Sequence, residues 1–373
     1  MPPRPPRSPR VSSPPLWRWA LAALTFSCLG ACDPFHTEFE ALEPAQTYRA
    51  REPGAPSTPG ASLKVMSWNI KFGGGRIDFF FDCHGDRVLM ERSEVIANLE
   101  GLADAIRRVE PDVLLLQEVD VNSKRSAHID QLQYLLDHTH LEHGVYASAW
   151  KADFIPSDGL GPMDSGNAIL SRWPLVDAER IQLPLRSDQS GLTRYFYLRR
   201  NMLRARIELP TGEEVEVLNI HTTAYGTDGT KAEQIARFAA ELERIAATGA
   251  LVIAGGDLNT IPPGSVQTSD YPDSVCADEA FIADDYSAEA GILDGLYAGM
   301  SPAISLAAYA SDNAAYATHT TDGGGFWNRK LDYLFTSGAW EPGSALTHQD
   351  ASSGVETMPL SDHAPISARV QLR

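Results

Sequence analysis

The sequence predicts an α/β domain in which two sheets face each other and helices cover the outside. Two observations carry this. Apolar strand-like runs alternate with helical spacing in the first third of the chain and again after residue 230, while the middle reads as consecutive antiparallel strands. In addition, six apolar runs close on polar side chains. These are Asn69 in KVMSWNI, Glu118 in DVLLLQE, His221 in VEVLNIH, Asp257 and Asn259 in LVIAGGDLN, Asp332 in KLDYLF, and Asp362 with His363 in LSDHAPI. A strand ending at a sheet edge delivers its last side chain into a crevice shared with its neighbours.

The elements follow in order. LKVMSW is a strand. ERSEVIANLEGLADAIRRVE places Val95, Leu99, Leu102, Ile106 and Val109 on one helix face, and Pro111 breaks it. DVLLLQE is a buried strand, and a second helix is expected at IDQLQYLLDHT. NAILSR, LVDAERIQL, FYLRRNMLRARIEL and VEVLNIH read as strands, with Pro210-Thr211-Gly212 turning the last two into a hairpin. KAEQIARFAAELERIAAT is a helix closed by Gly249, and LVIAGG is a buried strand. Residues 260–329 are weakly periodic and read as long loops with short elements. KLDYLF and APISARVQL complete the sheets.

The first 31 residues stand outside this domain. Arg4, Arg7, Arg10 and Arg18 precede the short apolar run WALAALTFSCLG, which is too short to span a bilayer and reads as an export signal. It ends in Leu29-Gly30-Ala31-Cys32, which resembles the bacterial lipoprotein processing site. Cys32 would then be the lipidated N-terminus of a membrane-anchored protein of the cell envelope. Residues 32–62 are Pro-rich and read as a tether. Residues 63–373 read as one domain and the chain as a monomer. Removing four Arg and no acid leaves 27 basic against 49 acidic residues, or −22. Such a chain repels polyanions at long range, which weighs against a general nucleic-acid binder. In an oxidising compartment the remaining pair, Cys83 and Cys276, is a candidate disulfide between two loops.

The polar strand ends suit a hard cation and a phosphate ester. Mg²⁺ keeps several waters and needs only one or two carboxylates with an amide. The sequence has neither a cysteine cluster nor HExxH for zinc, and no GxSxG elbow for a serine hydrolase. Asp332, flanked by apolar residues, is costly unless paired, and His363 is the expected partner.

Together WNI, LQE, GNAILSR, NIH, GDLN, KLDY and SDH resemble the endonuclease/exonuclease/phosphatase superfamily, from about Leu63 to Arg373. The resemblance implies a deoxyribonuclease-like four-layered α/β/β/α sandwich. It also implies Mg²⁺- or Mn²⁺-dependent cleavage of a phosphate ester by water. By motif, Asn69 and Glu118 would sit at the metal with Asp362 close by. Asp257 would align or deprotonate the water, Asn259 would help hold it or the phosphate, and His221 and His363 would contact the phosphate. Asp332 would orient His363. Asn167 and Arg172 of GNAILSR would make supporting or substrate contacts. A second metal, if bound, would use Asp257, Asn259 and His363. The substrate stays open between a phospholipid, a small ester and nucleic acid. The alternative is a catalytically inactive relative that binds a partner at the envelope. The aromatic segment GGGRIDFFFDCHGDR after WNI is expected either to pack as a loop or to cover the substrate.

Overall fold

The computed structural model describes residues 37–54, 57–82, 85–224, 226–274 and 285–373. Cys32, Cys83 and Cys276 lie outside them, so the expected lipidation site and disulfide do too. In chain order the elements are β1 (Leu42–Pro44), β2 (Gln46–Arg49), β3 (Ser62–Asn69), α1 (Arg92–Val109), β4 (Val113–Asp120), α2 (Gln131–His138), β5 (His143–Ile155), β6 (Gly161–Ser171), β7 (Leu175–Gln182), α3 (Gly191–Phe196), β8 (Asn201–Glu208), β9 (Glu214–His221), α4 (Thr230–Ala246), β10 (Leu251–Asp257), α5 (Asp294–Gly299), β11 (Ser301–Pro302), α6 (Leu306–Ser311), β12 (Asp332–Thr336), β13 (Leu346–Thr347) and β14 (Ile366–Gln371).

They form two sheets, ordered β1-β7-β8-β9-β10-β12-β11 and β13-β14-β3-β4-β6-β5-β2. Alternation along the strands sets the layers. On β3, Leu63 and Val65 face the other sheet, where they meet a core that includes Leu203, Val217 and Ile253. Met66 and Trp68 point the other way, into a core with Val95, Leu99, Leu102 and Ile106 of α1. On the far sheet, Leu218, Ile220, Val252 and Ala254 pack with Ile235, Phe238 and Leu242 of α4. The result is the expected α/β/β/α sandwich. α1 starts at a reciprocal cap, in which the Glu91 amide donates to Glu94 Oε2 at 2.7 Å. It ends at Glu110, whose φ of 54° is left-handed.

Three expectations need correction. The segment read as a tether supplies β1 and β2, which extend opposite sheets by pairing with β7 and β5. The folded domain therefore begins well before residue 63. The 13-residue β5 was not foreseen, because Ala and Ser interrupt the strand formers Val145, Tyr146 and Trp150. FYLRR is not strand: Phe196 ends α3, and β8 starts at Asn201. The aromatic segment packs as a loop. Phe79 is fully buried and meets Phe72 edge-on at 4.9 Å, although Phe81 remains partly exposed. Among the described residues no helix is long and apolar enough to cross a membrane.

Candidate active site

Strand register builds the site. β9 and β10 run parallel with Asp257 beside His221, and β12 runs antiparallel to β10 with Asp332 beside Asp257. Three polar groups thus stand in a row across adjacent strand ends. The row needs a glycine behind it. Gly256 has φ 139°, and a Cβ there would lie 1.9 Å from the Ile220 carbonyl oxygen. On the facing sheet β3 and β4 are parallel, with Asn69 beside Gln117. The register of β4 against β6 then shifts between Leu116 and Val119, and Glu118 takes a left-handed φ of 57°. This irregularity turns Glu118 toward Asn69. Below the rim the sheets are tied by polar bonds: Gln117 Nε2 donates to Asn219 Oδ1 at 2.7 Å, and Asn219 Nδ2 donates to the Leu116 and Ala168 carbonyls.

The two sets of strand ends meet. Asn69 Nδ2 donates to Asp257 Oδ2 at 3.0 Å and to Glu118 Oε1 at 3.1 Å. His221 Nε2 lies 3.4 Å from Asp257 Oδ2 and 3.9 Å from Glu118 Oε1. His363 Nε2 lies 3.6 Å from the same Asp257 oxygen, while its Nδ1 pairs with Asp332 Oδ2 at 2.8 Å. The other oxygen of Asp257 accepts from the Asn259 amide at 2.9 Å. Asn259, in a left-handed turn with φ 47°, donates its carboxamide to the Thr222 carbonyl. Ser361 Oγ donates to the Asn69 carbonyl at 2.7 Å, and Trp68 Nε1 donates to the His363 carbonyl at 2.8 Å, so the terminal SDH turn is fastened to β3.

The electrostatics separate the two imidazoles. Burial, reinforced by Arg200 and by His363, holds His221 well below its usual pKa. Burial would lower His363 too, but Asp332 and Asp257 outweigh it and raise it to about 10. The crevice therefore sets a neutral His221 against a charged His363 at pH 7. Burial raises the Asp257 carboxyl; His363 opposes this and Asp332 adds to it. Glu118 is raised by burial and then by Asp362. Asp362 would rise with burial, but Lys71 first, then His363 and Arg76, hold it below the usual carboxylate range.

Asn69, Glu118, His221, Asp257, Asn259, Asp332, Asp362 and His363 are thus all brought to one crevice. Asn167 lies just beneath it, buried, donating to the carbonyl and side-chain oxygens of Asn201 at 3.2 and 3.3 Å. Arg172 is not brought there. β6 runs antiparallel to β4, so the residue after Ser171 emerges at the start of β4, where Arg172 meets Asp112 at 2.8 Å and Glu110 at 3.1 Å. Its expected substrate contact is corrected to a surface ion pair.

Sequence reasoning missed three basic groups. Lys71, directly after WNI, is buried and sits 3.0 Å from Asp82 and 3.9 Å from Asp362. Arg200, just before β8, is buried within the fields of Glu118 and Asp257. His319 lies against His363, with ring centroids 4.4 Å apart and the planes tilted by 48°. Lys71 had a usable signal in its position after Asn69. The other two come from a loop-like stretch and from a run first read as strand.

The donor set fits a divalent ion. Glu118 and Asp362 offer carboxylate oxygens, hard donors, whereas the Asn69 carboxamide turns Nδ2 to Glu118 and gives Oδ1 to the Lys71 amide at 3.0 Å, so it would have to rotate to join them. Asp332 Oδ1, fully buried, has no hydrogen-bond partner. No curated protein matches the chain. Among solved structures the fold is shared with an endonuclease/exonuclease/phosphatase from Beutenbergia cavernae, at 19% identity and TM-score 0.55, covering 84% of this chain and 72% of that one. It is shared with a functionally unknown conserved protein from Enterococcus faecalis, at 15% identity and TM-score 0.53, covering 83% and 100%. A third likeness, to an endonuclease/exonuclease/phosphatase from Bacteroides vulgatus, has 13% identity and TM-score 0.50, covering 84% and 100%. The model of the Endonuclease/Exonuclease/phosphatase family matches residues 66–363, four-fifths of the sequence and every strand of the crevice, and the chain belongs to that family.

Proposed function

We propose that this chain is an exported, lipid-anchored phosphoesterase that cleaves phosphodiesters with water and a divalent cation, Mg²⁺ or Mn²⁺. Members of the family are usually metal-dependent phosphoesterases or nucleases. The observation that carries the proposal is Asp257. One of its oxygens lies within 3.0–3.6 Å of Asn69, His221 and His363, and the other is fixed by the Asn259 amide.

In this scheme Asp257 orients the attacking water and takes its proton. Burial makes the carboxylate a stronger base than one in solvent. Asn259 holds the turn that aims it. His363, charged and oriented by Asp332, stabilises negative charge growing on a phosphoryl oxygen. His221, neutral, donates a hydrogen bond near the leaving group. Asn69, Glu118 and Asp362 would hold the cation, which supplies Lewis-acid stabilisation of the phosphoryl oxygens when bound. The acidic balance of the chain and a membrane tether favour a phospholipid or small extracellular ester over nucleic acid.

The test is turnover of bis-p-nitrophenyl phosphate. EDTA should abolish it and Mg²⁺ or Mn²⁺ restore it; metal-independent turnover rejects the mechanism. A panel of sphingomyelin, phosphatidylinositol phosphates, nucleotides, RNA and plasmid DNA then separates the substrate classes. Binding of partners without turnover of any member would favour the inactive relative.

A further inference from the structure

We propose that His319, His363 and Asp362 form a second cation position, selective for an imidazole-binding metal such as Zn²⁺ over Mg²⁺. The proposal deepens the phosphoesterase reading and rests on it, because Asp362 and His363 belong to both.

One donor atom from each of the three side chains lies within 4.8 Å of the other two. A metal–donor bond of about 2.0–2.2 Å spans such a triangle after small side-chain adjustments. The triangle is built into the backbone. His319 forms an isolated bridge with His363, the Thr320 amide donates to the Asp362 carbonyl at 3.1 Å, and the Ala364 amide donates to the Thr318 carbonyl at 2.6 Å. Thr318 Oγ1 in turn accepts from the Leu331 and Asp332 amides, which locks this segment to the start of β12.

His319 has no other evident task. It is about nine-tenths buried, and its Nδ1 is sealed from water without a hydrogen-bond partner. A buried polar atom left unpaired is costly, and a metal bond or a proton-bearing ligand is what removes that cost. His363 has the arrangement typical of a metal-binding histidine. A carboxylate, Asp332, holds Nδ1 at 2.8 Å, which fixes the ring and leaves Nε2 toward the crevice; an ion bound there would displace the Nε2 proton and supply the positive charge in its place. The charge around the triangle also permits a cation. Lys71, Arg76 and Arg329 lie near it, and the carboxylates Asp82, Asp257, Asp332 and Asp362 offset them.

The donor chemistry sets the selectivity. Two imidazoles and one carboxylate suit zinc, cobalt or nickel, whereas Mg²⁺ prefers oxygen alone. Glu118 offers only oxygen to the neighbouring position, as would Asn69 once its carboxamide rotates. The crevice would then hold two unlike ions sharing Asp362.

The test uses the chain stripped with EDTA and titrated with Co²⁺ under excess Mg²⁺, which fills the oxygen position. One Co²⁺ should bind with a visible absorption band characteristic of nitrogen ligation, and Zn²⁺ should erase the band. His319→Phe keeps the ring and removes both nitrogens; it should weaken Co²⁺ at least ~100-fold, since losing even an outer partner of a ligand costs about 10- to 100-fold. Glu118→Gln should leave the band unchanged. Should His319→Phe melt early, His319→Gln replaces it and is expected to give the same loss. Absence of the band in the wild type, or its survival in a folded His319 variant, overturns the proposal. Mg²⁺-dependent turnover measured on the same wild-type sample reads the other proposal separately: turnover without the band sinks only the second cation.

Discussion

The two ends of the sandwich handle charge in opposite ways. Where β3, β4, β9 and β10 finish, Asp257, Asp332, His221 and His363 are buried and are one another's partners. At the other end Arg172 also bridges two carboxylates, but all three side chains keep contact with water, Glu110 being 69% exposed. Water screens the second arrangement, so its parts are nearly independent. The first excludes water, so each charge shifts the others and each orphaned atom is costly. β6 touches both ends, with Asn167 beneath the crevice and Arg172 at the start of β4. Chemistry here follows register, and a shared strand does not confer a shared site.

The buried end of the sandwich is most easily broken at Gly256. A methyl group there meets the Ile220 carbonyl oxygen at 1.9 Å, and the φ of 139° is unfavourable for any side chain. Neither strand can move without displacing His221 or Asp257. Gly256→Ala should cost more than about 4 kcal/mol, in the range reserved for core disruption, and be recovered mostly unfolded. A native-like urea midpoint would show that the strand ends are looser than described.

Asp257→Asn comes next and separates function from stability. It should lower kcat/KM for bis-p-nitrophenyl phosphate by about 10²–10³, the usual loss for one preorganised group. It should not lower the urea midpoint. Burial and Asp332 disfavour the charged form of Asp257 in the fold, so a neutral carboxamide relieves that cost. A large loss of stability would mean the crevice is held together by this carboxylate rather than strained by it.

The strands were legible because each is an apolar run closed by a turn, and the crevice was legible because its residues sit at those closures. What was hidden depended on partners. β1 and β2 mix Pro, Glu, Gln and Arg and become strands only because two sheet edges are there to pair with. Arg172 was misplaced because a strand motif gives the order of side chains and not the direction in which the strand meets the rim. Lys71 and Arg200 are basic residues beside good strands, which is ordinary in sequence and becomes notable only once they are buried among carboxylates. His319 lay in a stretch without periodicity, and its proximity to His363 rests on a bridge between residues 44 positions apart.

A histidine away from the crevice sharpens the electrostatic side. His348 packs beside β14 with Nε2 2.9 Å from Ser367 Oγ, and burial, with Lys64, lowers it to about 4. Its folded pKa lies below the unfolded value of about 6.5. The unfolded chain therefore takes up this proton first as pH falls. Stability from this group is complete above pH ~6.5 and is lost between there and pH ~4, by on the order of 3 kcal/mol. His348→Gln should flatten that part of the urea-midpoint curve. An equally steep slope in the variant would assign the acid sensitivity elsewhere.

The smallest effect is expected at Arg172. Its two ion pairs are geometrically good, at 2.8 and 3.1 Å, yet they join partly exposed groups. Such pairs contribute about 0–1 kcal/mol, because solvent and salt screen the attraction and ordering a long side chain offsets much of the rest. Arg172→Ala should therefore shift the urea midpoint only slightly, less so in 1 M salt, where the Debye length falls to about 3 Å. Turnover should be unchanged, since about five residues of β4, roughly 17 Å of strand, separate Arg172 from Glu118. A tenfold fall in kcat/KM with stability intact would show that the far end of the sheet communicates with the crevice. It would also mean that the motif containing Asn167 and Arg172 acts as a unit despite the register that divides it.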